Sequence, residues 1–78
     1  MSLVTPIAVF FARNPDEELT AEDIGIKWGV KPQHVGKTMR YAEQRGWFSS
    51  VKKPNPMRPT KQILFYSAGP RLLKEIGQ

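Results

Sequence analysis

The chain of 78 residues contains no cysteine and a single histidine, His34. Without thiols it can form neither a disulfide framework nor a thiolate metal site, and one imidazole without clustered carboxylates is no metal site either. No nucleophile, histidine and acid stand at a catalytic spacing, and there is no glycine-rich phosphate loop. We therefore expect no enzymatic activity, no catalytic residues, no metal and no cofactor.

Long hydrophobic runs are also missing. The most apolar stretch, residues 7–12, is far too short to span a bilayer and lacks a basic leader. The length suits one domain with a small core, and without disulfides its stability has to come from packing, to which dimerisation could contribute. We expect a single domain over residues 1–78, cytoplasmic and without a membrane partner.

Acidic residues are scarce in the second half of the chain. Residues 1–26 carry a net charge of −4, whereas residues 27–61 hold nine Lys or Arg against one Glu and carry +8. Residues 62–78 add +1, which gives the total of +5. This segregation is typical of proteins that bind a polyanion through one part of their surface. We expect the acidic segment to face away from that polyanion.

Residues 19–47 carry the most informative pattern, two helices joined by a glycine turn. Thr20 and Asp23 have the spacing of a capping box, and Gly29 is a residue that ends helices. Pro32 suits the first position of the next helix. Three apolar residues then recur at i, i+4 and i+7: Val35, Met39 and Ala42. This arrangement predicts a helix-turn-helix, which can present its second helix to a DNA major groove.

Amphipathic helices are predicted at both ends of the chain. Thr5 and Pro6 have the residue types of a cap and a first helical position, and residues 14–15 would end that helix. Gly69 and Pro70 begin a short final helix. The apolar residues of these two helices are Ile7, Phe10, Phe11, Leu72, Leu73 and Ile76. Core packing explains them, and so would a homodimer formed through the terminal helices.

The segment after the helix-turn-helix predicts a hairpin. Residues 47–53 and 61–67 have the composition of strands. The intervening residues 54–60 hold three prolines, which cannot donate to a strand ladder. We therefore expect a stiff loop over those seven residues.

This sequence resembles the winged helix-turn-helix superfamily. In that family the apolar stripe of the second motif helix is followed by a glycine and an apolar or aromatic residue, which Gly46 and Trp47 match. Gly25 and Gly29 match the small residue of the first motif helix and the turn glycine. Gly36 departs from the pattern, because glycine weakens a helix by about 1 kcal/mol relative to alanine. Its missing side chain would admit either a sugar-phosphate strand or a neighbouring helix.

The resemblance implies an α+β fold with a three-helix bundle and a wing. The helix-turn-helix would cover residues 20–46, a wing of two to three strands residues 47–67, and the C-terminal helix residues 70–76. Leu19 would pair briefly as the small strand of the family.

Two sets of side chains are candidates for DNA contacts. The first set belongs to the polar side of the second motif helix: Gln33, His34, Lys37, Arg40, Tyr41 and Gln44. The second set belongs to the wing: Lys52, Lys53, Arg58 and Lys61. Gln suits adenine edges, Arg and Lys suit guanine or phosphate, and arginine suits narrow minor grooves. The alternatives are a merely solvated helix face, with His34 an exposed bystander, and a basic loop that contacts phosphates only.

The function predicted from these observations is sequence-specific binding of double-stranded DNA in transcription regulation. The recognition helix, residues 32–45, would enter the major groove, and the basic wing, residues 52–61, would contact adjacent backbone or the minor groove. The resemblance suggests a bacterial or phage regulator, associated with the nucleoid if bacterial. One alternative is a protein–protein interaction module. Another is an accessory DNA-binding factor of phage or plasmid replication or recombination.

Overall fold

The computed structural model describes residues 3–77. In this range the chain forms helices and strands in the following order: α1 (Val4–Arg13), β1 (Leu19–Thr20), α2 (Ala21–Trp28), α3 (Pro32–Gln44), β2 (Phe48–Asn55), β3 (Arg58–Ala68) and α4 (Pro70–Glu75). This arrangement of a helix-turn-helix, a three-stranded antiparallel sheet and a short last helix confirms the predicted α+β fold class.

The first helix begins earlier than the sequence predicted. Leu3 occupies the cap position without a side-chain hydrogen bond, so Thr5 is not the cap. Pro6 is tolerated inside the first turn because the N–H groups there have no partner within the helix. At the other end, the Asn14 side chain donates a hydrogen bond of 2.9 Å to the carbonyl of Phe10. The helix therefore ends where it was predicted to end.

The turn between α2 and α3 has the predicted geometry. Both bonds of the capping box form, at 3.1 Å from the Asp23 N–H to Thr20 Oγ1 and 3.0 Å from the Thr20 N–H to Asp23 Oδ2. Gly29 has a φ of +67°, in the left-handed region that favours glycine. A Cβ on Gly25 would stand 2.5 Å from the carbonyl oxygen of Val30. This close approach explains why the buried position in α2 carries a glycine.

The sheet has the strand order β1-β3-β2, and all its pairs are antiparallel. The predicted proline loop is wrong, because β2 continues to Asn55 and β3 starts at Arg58. Pro54 is tolerated since β2 is an edge strand. Pro59 lies where three residues of β3 have no partner in β2.

The prediction that Leu19 pairs is confirmed, since it lies opposite Tyr66.

The core lies between the helices and the root of the sheet. The predicted stripe of α3 is buried as a whole, and it packs with side chains from every other helix and from both hairpin strands. The buried hydrophobic residues are Ile7, Phe11, Ile24, Val35, Met39, Ala42, Phe48, Tyr66, Ala68 and Leu72. The rings of Phe11 and Phe48 meet edge to face at 5.7 Å. This packing fixes the orientation of α3, and so decides which of its side chains reach solvent.

Candidate nucleic-acid interface

The exposed side of α3 carries all six polar or aromatic residues that the sequence singled out. Because Val35, Met39 and Ala42 are fully buried, the residues on the other side of the 3.6-residue repeat point outward. The exposed set is Gln33, His34, Lys37, Arg40, Tyr41 and Gln44. At about 1.5 Å per residue, the 13 residues of α3 form a rod of about 20 Å. The structure thus gives one helix with a continuous polar face.

The N-terminal end of that face forms a shallow depression. It is lined by Lys31, Gln33, His34 and Lys37. Lys31 was not among the predicted site residues, although its place just before Pro32 could have indicated it. Its carbonyl accepts the N–H groups of His34 and Val35 at 3.0 and 3.1 Å, so its backbone belongs to the helix start. Lysines and hydrogen-bonding side chains therefore surround the beginning of α3.

The wing, defined here as the hairpin of β2 and β3, is tied to α3 by a carboxylate. Ser50 of β2 donates a hydrogen bond of 2.6 Å from its hydroxyl to Glu43 Oε2. Burial raises the pKa of the nearby Tyr66 hydroxyl, Glu43 raises it further and Arg40 opposes the rise. Arg40 and Glu43 thus both act on a side chain of the sheet. The polar face of α3 consequently adjoins the root of the wing.

The hydrogen bond between Ser50 and Glu43 was not predicted from the sequence. Glu43 is the only acidic residue in residues 27–61, and that isolation was the available signal. The partner could not be read from the sequence, because Ser50 has neighbours of similar type.

The outer part of the wing, residues 52–61, carries four cations. Residues 48–68 contain neither Asp nor Glu. Lys52, Arg58 and Lys61 are exposed, as a contact with phosphate would require. Arg58 follows directly after the two-residue turn of Pro56 and Met57, so it lies near the apex of the hairpin.

Lys53 differs from the other three wing cations. Its Nζ lies 2.6 Å from Glu18 Oε1 and 5.4 Å from the centre of the Phe65 ring, and the residue is half-buried. The expectation that the acidic segment points away from the basic surface is therefore wrong for Glu18. The sheet brings the β1 region beside β3, and this pairing carries Glu18 to the wing. A phosphate at Lys53 would have to compete with this carboxylate.

Tyr41 stands apart from the rest of the predicted set. The guanidinium of Arg45 lies 4.4 Å above its ring, and both residues border an apolar groove between α1 and α3. Ala8, Val9 and Trp47 line the same groove. Tyr41 thus lies on the flank of α3 that faces α1, whereas Glu43 marks the flank that faces the wing.

Between residues 3 and 77, no helix is long and apolar enough to cross a membrane. In the same range, no three His, Asp or Glu side chains come together in a way that could hold a metal ion.

The fold defines the chain as winged-helix-like, and comparison with known proteins agrees at that level. No family model matches the sequence, and no curated protein does. Among solved structures, the chain is similar to ZitR of Lactococcus lactis, determined as a mutant, with a TM-score of 0.68 and 17% identity. The match covers 96% of this chain and 49% of the ZitR chain, so this chain spans about half the length of the ZitR chain. At this identity the likeness concerns the fold alone.

Proposed function

We propose that this chain binds double-stranded DNA in a sequence-specific manner and acts in transcription regulation. The observation that carries the proposal is the outward face of α3. It presents Gln33, Lys37, Arg40 and Gln44 on the side opposite a fully buried stripe. A helix of this kind fits the major groove of B-DNA, which admits an α-helix and displays a distinct pattern for each base pair.

In this proposal α3 reads bases and its N-terminal end binds backbone. Gln33 and Gln44 can hydrogen-bond adenine through both atoms of the amide, and Arg40 can hold the O6 and N7 of guanine. Lys31 and Lys37 border the depression at the helix start, where they suit phosphate.

The wing would extend the contact to the flanking DNA. Lys52, Arg58 and Lys61 are exposed on a hairpin that has no acidic residue. Since the hydrogen bond between Ser50 and Glu43 holds this hairpin against α3, both elements would engage one duplex together. Lys53 would contribute less, because Glu18 already pairs with it.

A titration with a mixed-sequence duplex tests the proposal. A labelled duplex of about 25 base pairs, more than two helical turns, is titrated by fluorescence anisotropy at two salt concentrations. We expect salt-sensitive binding that weakens about tenfold or more, ~1.4 kcal/mol, when Lys37→Ala and Arg40→Ala are combined. A matched control combines Arg13→Ala and Lys74→Ala, which remove the same charge from exposed positions on α1 and α4. The control should keep most of the affinity.

The result that would overturn the assignment of this face is equal weakening in both double variants. That result would mean that net charge alone drives binding. An absence of binding even at low salt would instead favour the second candidate, a protein-interaction module. The specific observation behind that candidate is the apolar groove between α1 and α3, bordered by Val9, Tyr41 and Trp47.

A further inference from the structure

The apex of the wing carries an apolar side chain that no part of the described fold covers. Met57 is 87% exposed, more than Ile26 at 77% or any of the other exposed large hydrophobic residues in residues 3–77. It forms the two-residue turn of the hairpin together with Pro56. Its side chain is therefore exposed at the tip of the hairpin.

This turn is rigid for its size. The Asn55 side chain accepts the N–H of Met57 at 2.9 Å, which fixes the backbone of the turn. Pro54, Pro56 and Pro59 restrict the residues on both sides of Met57. A loop that is ordered before binding loses little conformational entropy on binding. The apex is thus suited to insertion into a narrow space.

The charges around the apex indicate what that space belongs to. Arg58 follows Met57 directly, Lys61 and Lys52 lie further down the hairpin, and no acidic residue occurs in residues 48–68. Phosphate binding accounts for these cations but not for an exposed thioether beside them. Met and Pro are among the side chains that minor-groove binding proteins insert between base steps. An apolar tip flanked by cations matches that mode of binding.

We propose that Met57 is an apolar wedge that enters the DNA minor groove and partly unstacks one base step. This inference rests on the proposed DNA binding and adds a specificity-determining residue to it. Arg58 and Lys61 hold the phosphates on the two sides of the groove while Met57 contacts the bases. Pyrimidine–purine steps such as TA unstack most easily, so such steps are favoured under the wing. Insertion kinks the duplex, by about 20–90° in proteins of this type.

The test reports stacking and bending separately from affinity. Duplexes of the same mixed sequence carry 2-aminopurine in place of one adenine at a TA step, or a fluorophore pair at the two ends. Binding of the wild-type chain should raise 2-aminopurine fluorescence at the step below the wing and should shorten the end-to-end distance. Met57→Ala should lose both signals while it binds with the same salt dependence, and Met57→Leu should retain them.

Two further variants separate the wedge from its surroundings. Ile26→Ala removes an apolar side chain of comparable exposure from α2, and it should leave both signals intact. Arg58→Ala should lower the slope of log affinity against log salt by about 0.9 yet keep the fluorescence rise. Because these positions are exposed, circular dichroism is expected to show unchanged folding.

The contrary outcomes distinguish failure of the wedge from failure of the proposed DNA binding. If Met57→Ala binds with the same fluorescence rise and bend, the wedge is refuted and DNA binding stands. If the wild-type chain binds every duplex without any fluorescence rise or bend, the wedge is also refuted and DNA binding stands. If it binds no duplex at all, both the wedge and the proposed function fall.

Discussion

Alanine at Gly36 should make the protein more stable and at the same time weaken the proposed binding to DNA. Gly36 lies inside α3, where glycine is less favourable than alanine by about 1 kcal/mol. No atom of another described part of the chain lies within 4 Å of a Cβ built on this residue. A neighbouring helix therefore does not explain the glycine, and a methyl group can be added without a clash.

The expected gain in stability follows from these two facts. Gly36→Ala should raise the free energy of unfolding by about 0.5–1 kcal/mol. For a domain of this size that corresponds to a rise in Tm of about 2–8 °C. Gly25→Ala is the matched comparison, since its Cβ would stand 2.5 Å from the Val30 carbonyl oxygen. That variant should lose about 1–3 kcal/mol, because the turn backbone has to move. Thermal and urea unfolding followed by circular dichroism measure both changes.

The binding part of the prediction comes from the position of Gly36 on the helix. It lies one turn before Arg40 and two turns before Glu43, whose carboxylate contacts Ser50 of the wing. Gly36 thus belongs to the flank of α3 that borders the space between helix and wing. If a sugar-phosphate strand occupies that space, Gly36→Ala should reduce affinity about threefold or more, ~0.7 kcal/mol. A less stable Gly36→Ala would refute the assignment of open space around this residue. A more stable variant with unchanged affinity would refute the close approach of DNA.

Two other predictions concern the wing and the core beneath it. Arg58→Ala combined with Lys61→Ala should lower the slope of log affinity against log salt by about 1.8. Lys53→Ala should lower the slope by less than half of that value, because Glu18 already neutralises this lysine. Equal effects per cation in salt titrations would argue against this distinction. Burial raises the pKa of Tyr66, so the folded state holds the hydroxyl proton more tightly than the unfolded state. The resulting stability is fully present below the ordinary tyrosine pKa of 10.0 and is lost as the pH rises above it. Tyr66→Phe should therefore show a smaller loss of Tm between neutral and strongly alkaline pH, and an unchanged alkaline loss would exclude Tyr66 as its source.

The helix-turn-helix could be predicted from the sequence because local interactions determine it. The capping box of Thr20 and Asp23 spans three residues, and the left-handed turn needs only Gly29. The buried side of α3 follows from three apolar residues within two helical turns. Each of these signals lies inside one element or its cap, so no knowledge of the packing was needed.

The proline-rich hairpin could not be predicted in the same way. Whether a proline interrupts a strand depends on whether a neighbouring strand needs its N–H, and this is a property of the whole sheet. β1 is only two residues long and pairs with Phe65 and Tyr66 alone, which leaves the outer part of β3 without a second neighbour. Pro54 and Pro59 therefore fit into strands that composition alone excluded.

The net charge of each segment did not show which cations are free, because pairing between distant segments also depends on the sheet. Glu18 and Lys53 are 35 residues apart, yet the sheet places them in contact. The sum over residues 27–61 treats Lys53 as a free cation, and it treats Glu43 as a mere reduction of positive charge. In the structure Lys53 is neutralised by Glu18, and Glu43 links α3 to the wing through Ser50. The net charge predicts the kind of partner, but it does not identify the cations that are free to bind it.

These differences bear on how a duplex would be recognised. In the proposed binding mode, the chemistry of each contact would be encoded locally, in the polar residues of α3 and in the cations and Met57 of the wing. The spacing between the two contacts is encoded by packing, through Phe48 in the core and through the bond from Ser50 to Glu43. If α3 and the wing bind one duplex as proposed, their contacts must lie at a fixed separation. The residues that hold the wing against α3 would then determine the site as much as those that touch bases. Glu43, the one acidic residue of residues 27–61, would thus be part of the geometry on which the proposed sequence recognition depends.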